Sequence, residues 1–152
     1  MTAHSIPCPF CRIARRECPA HIVYEDDYLV AFLDTGPIRP GHVQIIPRDH
    51  YPAFDDLTAE LASRIIVLGQ RLARILKARN GVTRAAFLFT GGDIAHAHAH
   101  VLPMIAPSDI TSRRYIAEDA ITFRPIPRPD EDELRRTAFT LRDALKGREA
   151  TP

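Results

Sequence analysis

The chain has 152 residues, 45% hydrophobic and 26% charged, with a net charge of +1. That length predicts one domain, able to bury roughly 68–70% of its unfolded surface without a disulfide scaffold. The ordinary apolar fraction excludes global disorder, and 20 basic residues against 19 acidic ones leave no basic stripe, so bulk nucleic-acid binding is not expected. The longest apolar run, Tyr28 to Leu33, is far short of the about 20 residues of a membrane span. The N-terminal MTAHSIPCPFCR lacks a basic stretch followed by an apolar core, so no secretory signal is read and a cytoplasmic location is expected.

Three cysteines, Cys8, Cys11 and Cys18, are an odd set and argue against a disulfide framework. Cys8-Pro9-Phe10-Cys11 reads as a metal half-site. A thioredoxin-like redox motif would follow a strand, and none precedes it. Cys18 reads as a bystander.

Ile22–Glu25 and Tyr28–Asp34 are β-rich runs split by Asp26-Asp27, a hairpin pattern. Gly36-Pro37 and Pro40-Gly41 mark a loop, and His42–Pro47 reads as a third strand. Leu57, Leu61, Ile65, Leu68, Leu72, Ile75 and Leu76 recur at steps of three and four, one apolar helix face. Asp55, Asp56 or Thr58 would cap its start and Asn80-Gly81 its end, and Gly69 inside it suggests close packing. Arg84–Thr90 reads as a buried strand, and Ile94–Met104 as another because its residues alternate strictly. Ile121–Phe123 reads as a short edge strand. Asp130-x-x-Glu133 resembles a capping box, and Leu134, Ala138, Leu141 and Leu145 give a second amphipathic helix ending near Gly147. The pattern is α+β around an antiparallel sheet. His4 and His21 are expected on the surface.

The chemistry concentrates in His96, His98 and His100. On a strand their side chains project to one face, about 6.6–6.8 Å apart, with Ala97 and Ala99 on the other. Three imidazoles in register are a concentrated supply of groups near neutral pKa. Two readings stay open on the residues alone. In one, two of the triad histidines ligate a zinc ion as an H-x-H strand pair and leave an open site that activates water. In the other, one imidazole attacks phosphorus and its neighbours hold the phosphoryl oxygens.

His96-Ala97-His98-Ala99-His100-Val101-Leu102-Pro103 resembles the H-φ-H-φ-H-φ-φ signature of the histidine triad (HIT) family. Four earlier segments resemble the same family in order: Cys8-x-x-Cys11, Val23–Asp27, Ala31–Asp34, and Arg39–His42 through Ile46–His50. The resemblance covers about residues 6 to 104, with 105–147 as a C-terminal extension of a single domain.

It implies a HIT-like α+β fold: a five-stranded antiparallel sheet with one long and one C-terminal helix, commonly paired into a homodimer. It implies a nucleotide hydrolase or transferase acting at the α-phosphate of a purine, AMP-type nucleotide or conjugate. His98 matches the family's nucleophile, with His100 and His96 as its companions. Phe10, Ile13 and Phe32 match the base and sugar pocket, and Asp34 the carboxylate that accepts ribose hydroxyls. Thr90 and Asp93 match positions near the phosphate. Cys8, Cys11, His50 and His96 match a structural zinc site. Gly91-Gly92-Asp93 replaces a usual Gly-Gln-Ser/Thr, a departure that bears on the leaving group. The rival readings are a zinc-containing nucleotide sensor without turnover and a His-ligated zinc hydrolase.

Overall fold

The computed structural model describes residues 8–92, 94–110 and 125–147. Five strands form one antiparallel sheet: β1 (Ile22–Glu25), β2 (Leu29–Leu33), β3 (Val43–Pro47), β4 (Ala85–Phe89) and β5 (Ala99–Pro103), in the order β1-β2-β3-β5-β4. Among the described residues three helices accompany it: α1 (Pro9–Ala14), α2 (Ala59–Asn80) and α3 (Glu131–Lys146).

Strand alternation divides the apolar residues between two faces. Leu29, Ala31, Leu33, Val43, Ile45, Ala99 and Val101 pack against the stripes of α2 and α3, including Leu72, Leu76, Leu134 and Leu141. Val30, Phe32 and Ile46 face the other way and pack with Phe10 and Ala14 of α1. Every residue of β2 is therefore buried, which is why that run is continuously apolar rather than alternating. Full burial of each such Leu or Ile contributes about 1.5–3 kcal/mol.

The helix boundaries follow from capping. Thr58 takes the N-cap of α2 and its hydroxyl accepts from Leu61 N at 3.2 Å, while Phe54–Asp56 form a separate 3-10 turn. Asp130 caps α3, accepting from Glu133 N at 2.7 Å. Gly69 has a packing reason. A Cβ there would lie 2.3 Å from the Phe87 ring, so its absence lets α2 settle onto β4.

Four points need correction or restriction. The short helix α1 was not anticipated from the sequence. It opens with Pro at its first position, where the missing N–H costs nothing. The triad strand begins only at Ala99, not Ile94. Ahead of it, Ala97 N bonds to Tyr51 O, and the Pro47 carbonyl is taken by the His96 ring instead of a backbone N–H, so the β3–β5 ladder stops. His21 is not a free surface group, because it meets Glu131 at 3.1 Å. The expected Ile121–Phe123 strand lies outside the described residues.

Candidate active site

The β3–β5 pairing builds the site. Phe32, Gln44 and His100 stand in register across β2, β3 and β5, on the face away from α2 and α3. His98 precedes β5, and its ring centroid lies 5.0 Å from that of His100. α1 covers this face. Phe10 packs edge-on against Phe32 at 5.5 Å and His98 at 5.2 Å. Phe10, Phe32 and His98 are all buried, and Ile13 packs partly buried beside them.

The loop from Asp34 to Gly41 brings in a further histidine. Gly41 adopts φ +90°, a conformation side-chain-bearing residues rarely take, and delivers the chain to His42. Arg39 grips Asp109 through Nε at 2.9 Å and Nη2 at 2.7 Å. The other Asp109 oxygen accepts from Ile105 N and Ala106 N, so the loop is tied to the chain beyond β5.

Backbone groups fix the tautomers, because an amide N–H only donates and a carbonyl only accepts. Ile38 N donates to His42 Nδ1 at 3.2 Å. Neutral His42 therefore carries its proton on Nε2 and donates it to His100 Nδ1, 2.9 Å away. His100 in turn carries its proton on Nε2, directed at Thr90 Oγ1 at 3.3 Å. His98 Nδ1–H donates to its own neighbour's carbonyl, His96 O, at 2.7 Å, which leaves the Nε2 lone pair bare. His42 and His100 are neutral near pH 7. Burial lowers the His42 pKa, against the pull of Asp34, whose Oδ2 stands 3.8 Å from it. Burial, reinforced by His42 and His98, lowers that of His100 to about 4.

His96 belongs to a different group. Its Nε2–H donates to Pro47 O at 3.0 Å, so Nδ1 presents a lone pair. That atom lies 3.4 Å from Cys8 Sγ and 3.5 Å from Cys11 Sγ, and His50 Nδ1 lies 3.3 Å from Cys11 Sγ. All four donor atoms fall within 4.8 Å of one another. A tetrahedral zinc with Zn–S near 2.3 Å and Zn–N near 2.05 Å needs S···N edges of roughly 3.6 Å, so the set fits that ion. Burial and the adjacent Cys8 thiol raise the Cys11 pKa, so Cys11 ionises readily only beside a cation.

The triad is thus split by the structure: His98 and His100 face each other, while His96 turns to the cysteines. Asp34 lies beside His42, with Oδ1 accepting from Gly36 N at 2.8 Å and Oδ2 from Gln44 Nε2 at 2.7 Å. Asp93 lies outside the described residues. The sequence suggests His42 only as a support for the loop beside the site and does not single out Gln44, although alternation in HVQIIP puts both polar residues on one face.

The HIT domain profile matches residues 15–105. An uncharacterized HIT-like protein of Methanocaldococcus jannaschii is 31% identical over 132 residues, covering 84% of this chain and 95% of the relative. A purine nucleoside phosphoramidase of Escherichia coli is 32% identical over 113 residues, covering 64% of this chain and 92% of the relative. A zinc-bound histidine triad family protein of Mycobacterium smegmatis superimposes with a TM-score of 0.69 at 26% identity, covering 95% of this chain and 97% of that one. With the triad, the five-stranded sheet and the profile match in agreement, the chain belongs to the HIT family.

Proposed function

We propose that the protein cleaves a nucleoside 5′-phosphoryl bond through a nucleotidyl-histidine on His98. The observation that carries this reading is the His98–His96 carbonyl hydrogen bond, which holds the imidazole in the tautomer whose Nε2 lone pair is free. Nε2 attacks the α-phosphorus. The P–N bond forms as the bond to the leaving group breaks, and the leaving group departs with the electron pair. Water then attacks phosphorus and gives up a proton to the departed leaving group or to solvent, the new P–O bond forms, and the P–N electrons return to Nε2. His100 Nε2–H and the Thr90 hydroxyl donate to phosphoryl oxygens, where charge develops. His42, anchored by Ile38 N, holds His100 in the donating tautomer.

Phe10, Ile13 and Phe32 would hold a purine base and sugar, and Asp34 the ribose hydroxyls, which favours an AMP-type nucleotide or conjugate. Asp93 is proposed to influence the leaving group. Zinc bound by Cys8, Cys11, His50 and His96 would be structural. Its two cysteines flank Phe10, so the site holds α1 over the triad. The grouping of His96 with cysteines, apart from His98 and His100, favours this reading over a triad-ligated zinc hydrolase. A homodimer is proposed, and it is supported by the exposed Phe87 on β4, the last strand in the sheet order among the described residues. No helix among the described residues is long and apolar enough to cross a membrane.

The test is a panel of adenylated and guanylated substrates with amine, phosphate, nucleotide and carboxylate leaving groups, quenched for mass spectrometry. A nucleotide-sized mass increment on the peptide containing His98 is expected. Nucleotide binding with neither turnover nor adduct would instead assign a sensor.

A further inference from the structure

Gln44 occupies the middle of the site face, in register with Phe32 on β2 and His100 on β5. Its Nε2 donates to Asp34 Oδ2 at 2.7 Å. Charge dictates that orientation, since the reverse would set two acceptors against each other. The remaining atom, Oε1, is buried and has no hydrogen-bond partner among the described residues. The flanking imidazoles do not supply one. His42 Nε2–H goes to His100, and His100 Nε2–H is directed at Thr90. Phe32 and Ile46, its neighbours on the face, carry no donor. A buried acceptor without a donor is destabilising and calls for an explanation.

The position supplies one. Gln44 lies between the imidazoles that face the phosphorus and the Asp34 carboxylate, so a nucleotide spanning the two crosses it. Asp34 already accepts one bond on each oxygen, from Gly36 N and from Gln44 itself. We infer that Gln44 is a sugar-specificity residue: Oε1 accepts one hydroxyl of the cis-diol of a ribonucleotide while Asp34 accepts the other. The oxygen is closed from solvent in this structure, so it meets the hydroxyl after a modest side-chain movement. The inference rests on the nucleotide reading above and deepens it, because it selects ribonucleotides over deoxyribonucleotides.

The experiment compares kcat/KM for a nucleoside 5′-phosphoramidate and its 2′-deoxy and 3′-deoxy analogues, in wild type, Gln44→Met and Gln44→Leu. Circular dichroism and thermal melts confirm that each variant folds. Wild type should prefer the ribonucleotide over each analogue by at least about tenfold, since a site built for a hydroxyl penalises its absence. In both variants the preference should collapse to within about threefold for one analogue and persist for the other. Unchanged ratios, with or without a uniform fall in kcat, would overturn the inference and leave Gln44 a mere support. An equal fall in both ratios would also overturn it, by showing that Gln44 acts only through the hydrogen bond that positions Asp34. A wild-type protein that binds no nucleotide would remove the nucleotide reading, and this inference with it, before any variant is made.

Discussion

Nδ1 of His98 lies 2.7 Å from the carbonyl oxygen of His96, two residues earlier in the same chain. The contact needs no other element of the fold, yet it decides which nitrogen of His98 keeps a free lone pair. The third imidazole has none to offer. Nδ1 of His100 accepts from His42, so its remaining nitrogen carries a proton and donates.

His98→Ala should lower kcat by about 10³-fold or more while leaving nucleotide affinity within a few-fold of wild type, because the nucleophile acts in the transition state and intermediate. Calorimetric titration with a nucleoside monophosphate, beside single-turnover rates, measures the two separately. Retained turnover in the variant would eliminate the covalent route.

Zinc should copurify at one ion per chain. Cys8→Ala or Cys11→Ala should abolish stoichiometric binding and lower Tm by several degrees, since metal and fold are coupled where the ligands span α1, the loop after β3 and the approach to β5. Elemental analysis and calorimetry of the same preparations check this. A double variant that keeps full zinc would show that other residues ligate it.

Acid should weaken both stability and activity. The His100 pKa in the fold is lowered, by burial first and then by His42 and His98, to about 4 from an ordinary value of 6.5. The unfolded chain therefore binds this proton at higher pH than the folded one does. Stability is intact above about pH 6.5 and is lost as pH falls toward 4. His42, also lowered by burial, acts in the same direction. Denaturant unfolding at a series of pH values should give a smaller loss between pH 6.5 and 4.5 in His100→Asn than in wild type. In wild type, kcat/KM should fall below about pH 5, as His100 Nδ1 takes up a proton and ceases to accept from His42.

Gly69→Ala should cost about 1–3 kcal/mol, because the added methyl meets the Phe87 ring inside contact distance. Adding Phe87→Ala should make the Gly69→Ala step neutral or stabilising, a coupling that a double-mutant cycle reads directly. A pure helix-propensity effect would instead make Gly69→Ala stabilising.

The elements whose signals are local were legible in the sequence. The i, i+3, i+4 stripe from Leu61 to Leu76 and the Asp130 cap depend on neighbours within a few positions and recur in the fold, and of the three caps read for the long helix, Asp55, Asp56 and Thr58, the chain uses Thr58. The β-rich runs recur as strands, but the run read as alternating from Ile94 pairs only from Ala99, and the run read as buried, Arg84–Thr90, leaves Phe87 exposed. The resemblance of spaced motifs led to the HIT family and to the cysteine–histidine set that the chain brings together. Tertiary structure decided what depends on contacts across the sheet. Strand alternation extended through residues 94–98 would place His96 beside His98 and His100. Competition for the Pro47 carbonyl and the Tyr51 backbone ends the ladder at Ala99 and turns His96 to the cysteines. The His42–His100 bond joins residues 58 positions apart, and the Gln44–Asp34 bond joins two different strand ends. No short-range pattern encodes such pairs, because the direction of each proton is set by a backbone donor or acceptor that only the folded chain brings into place.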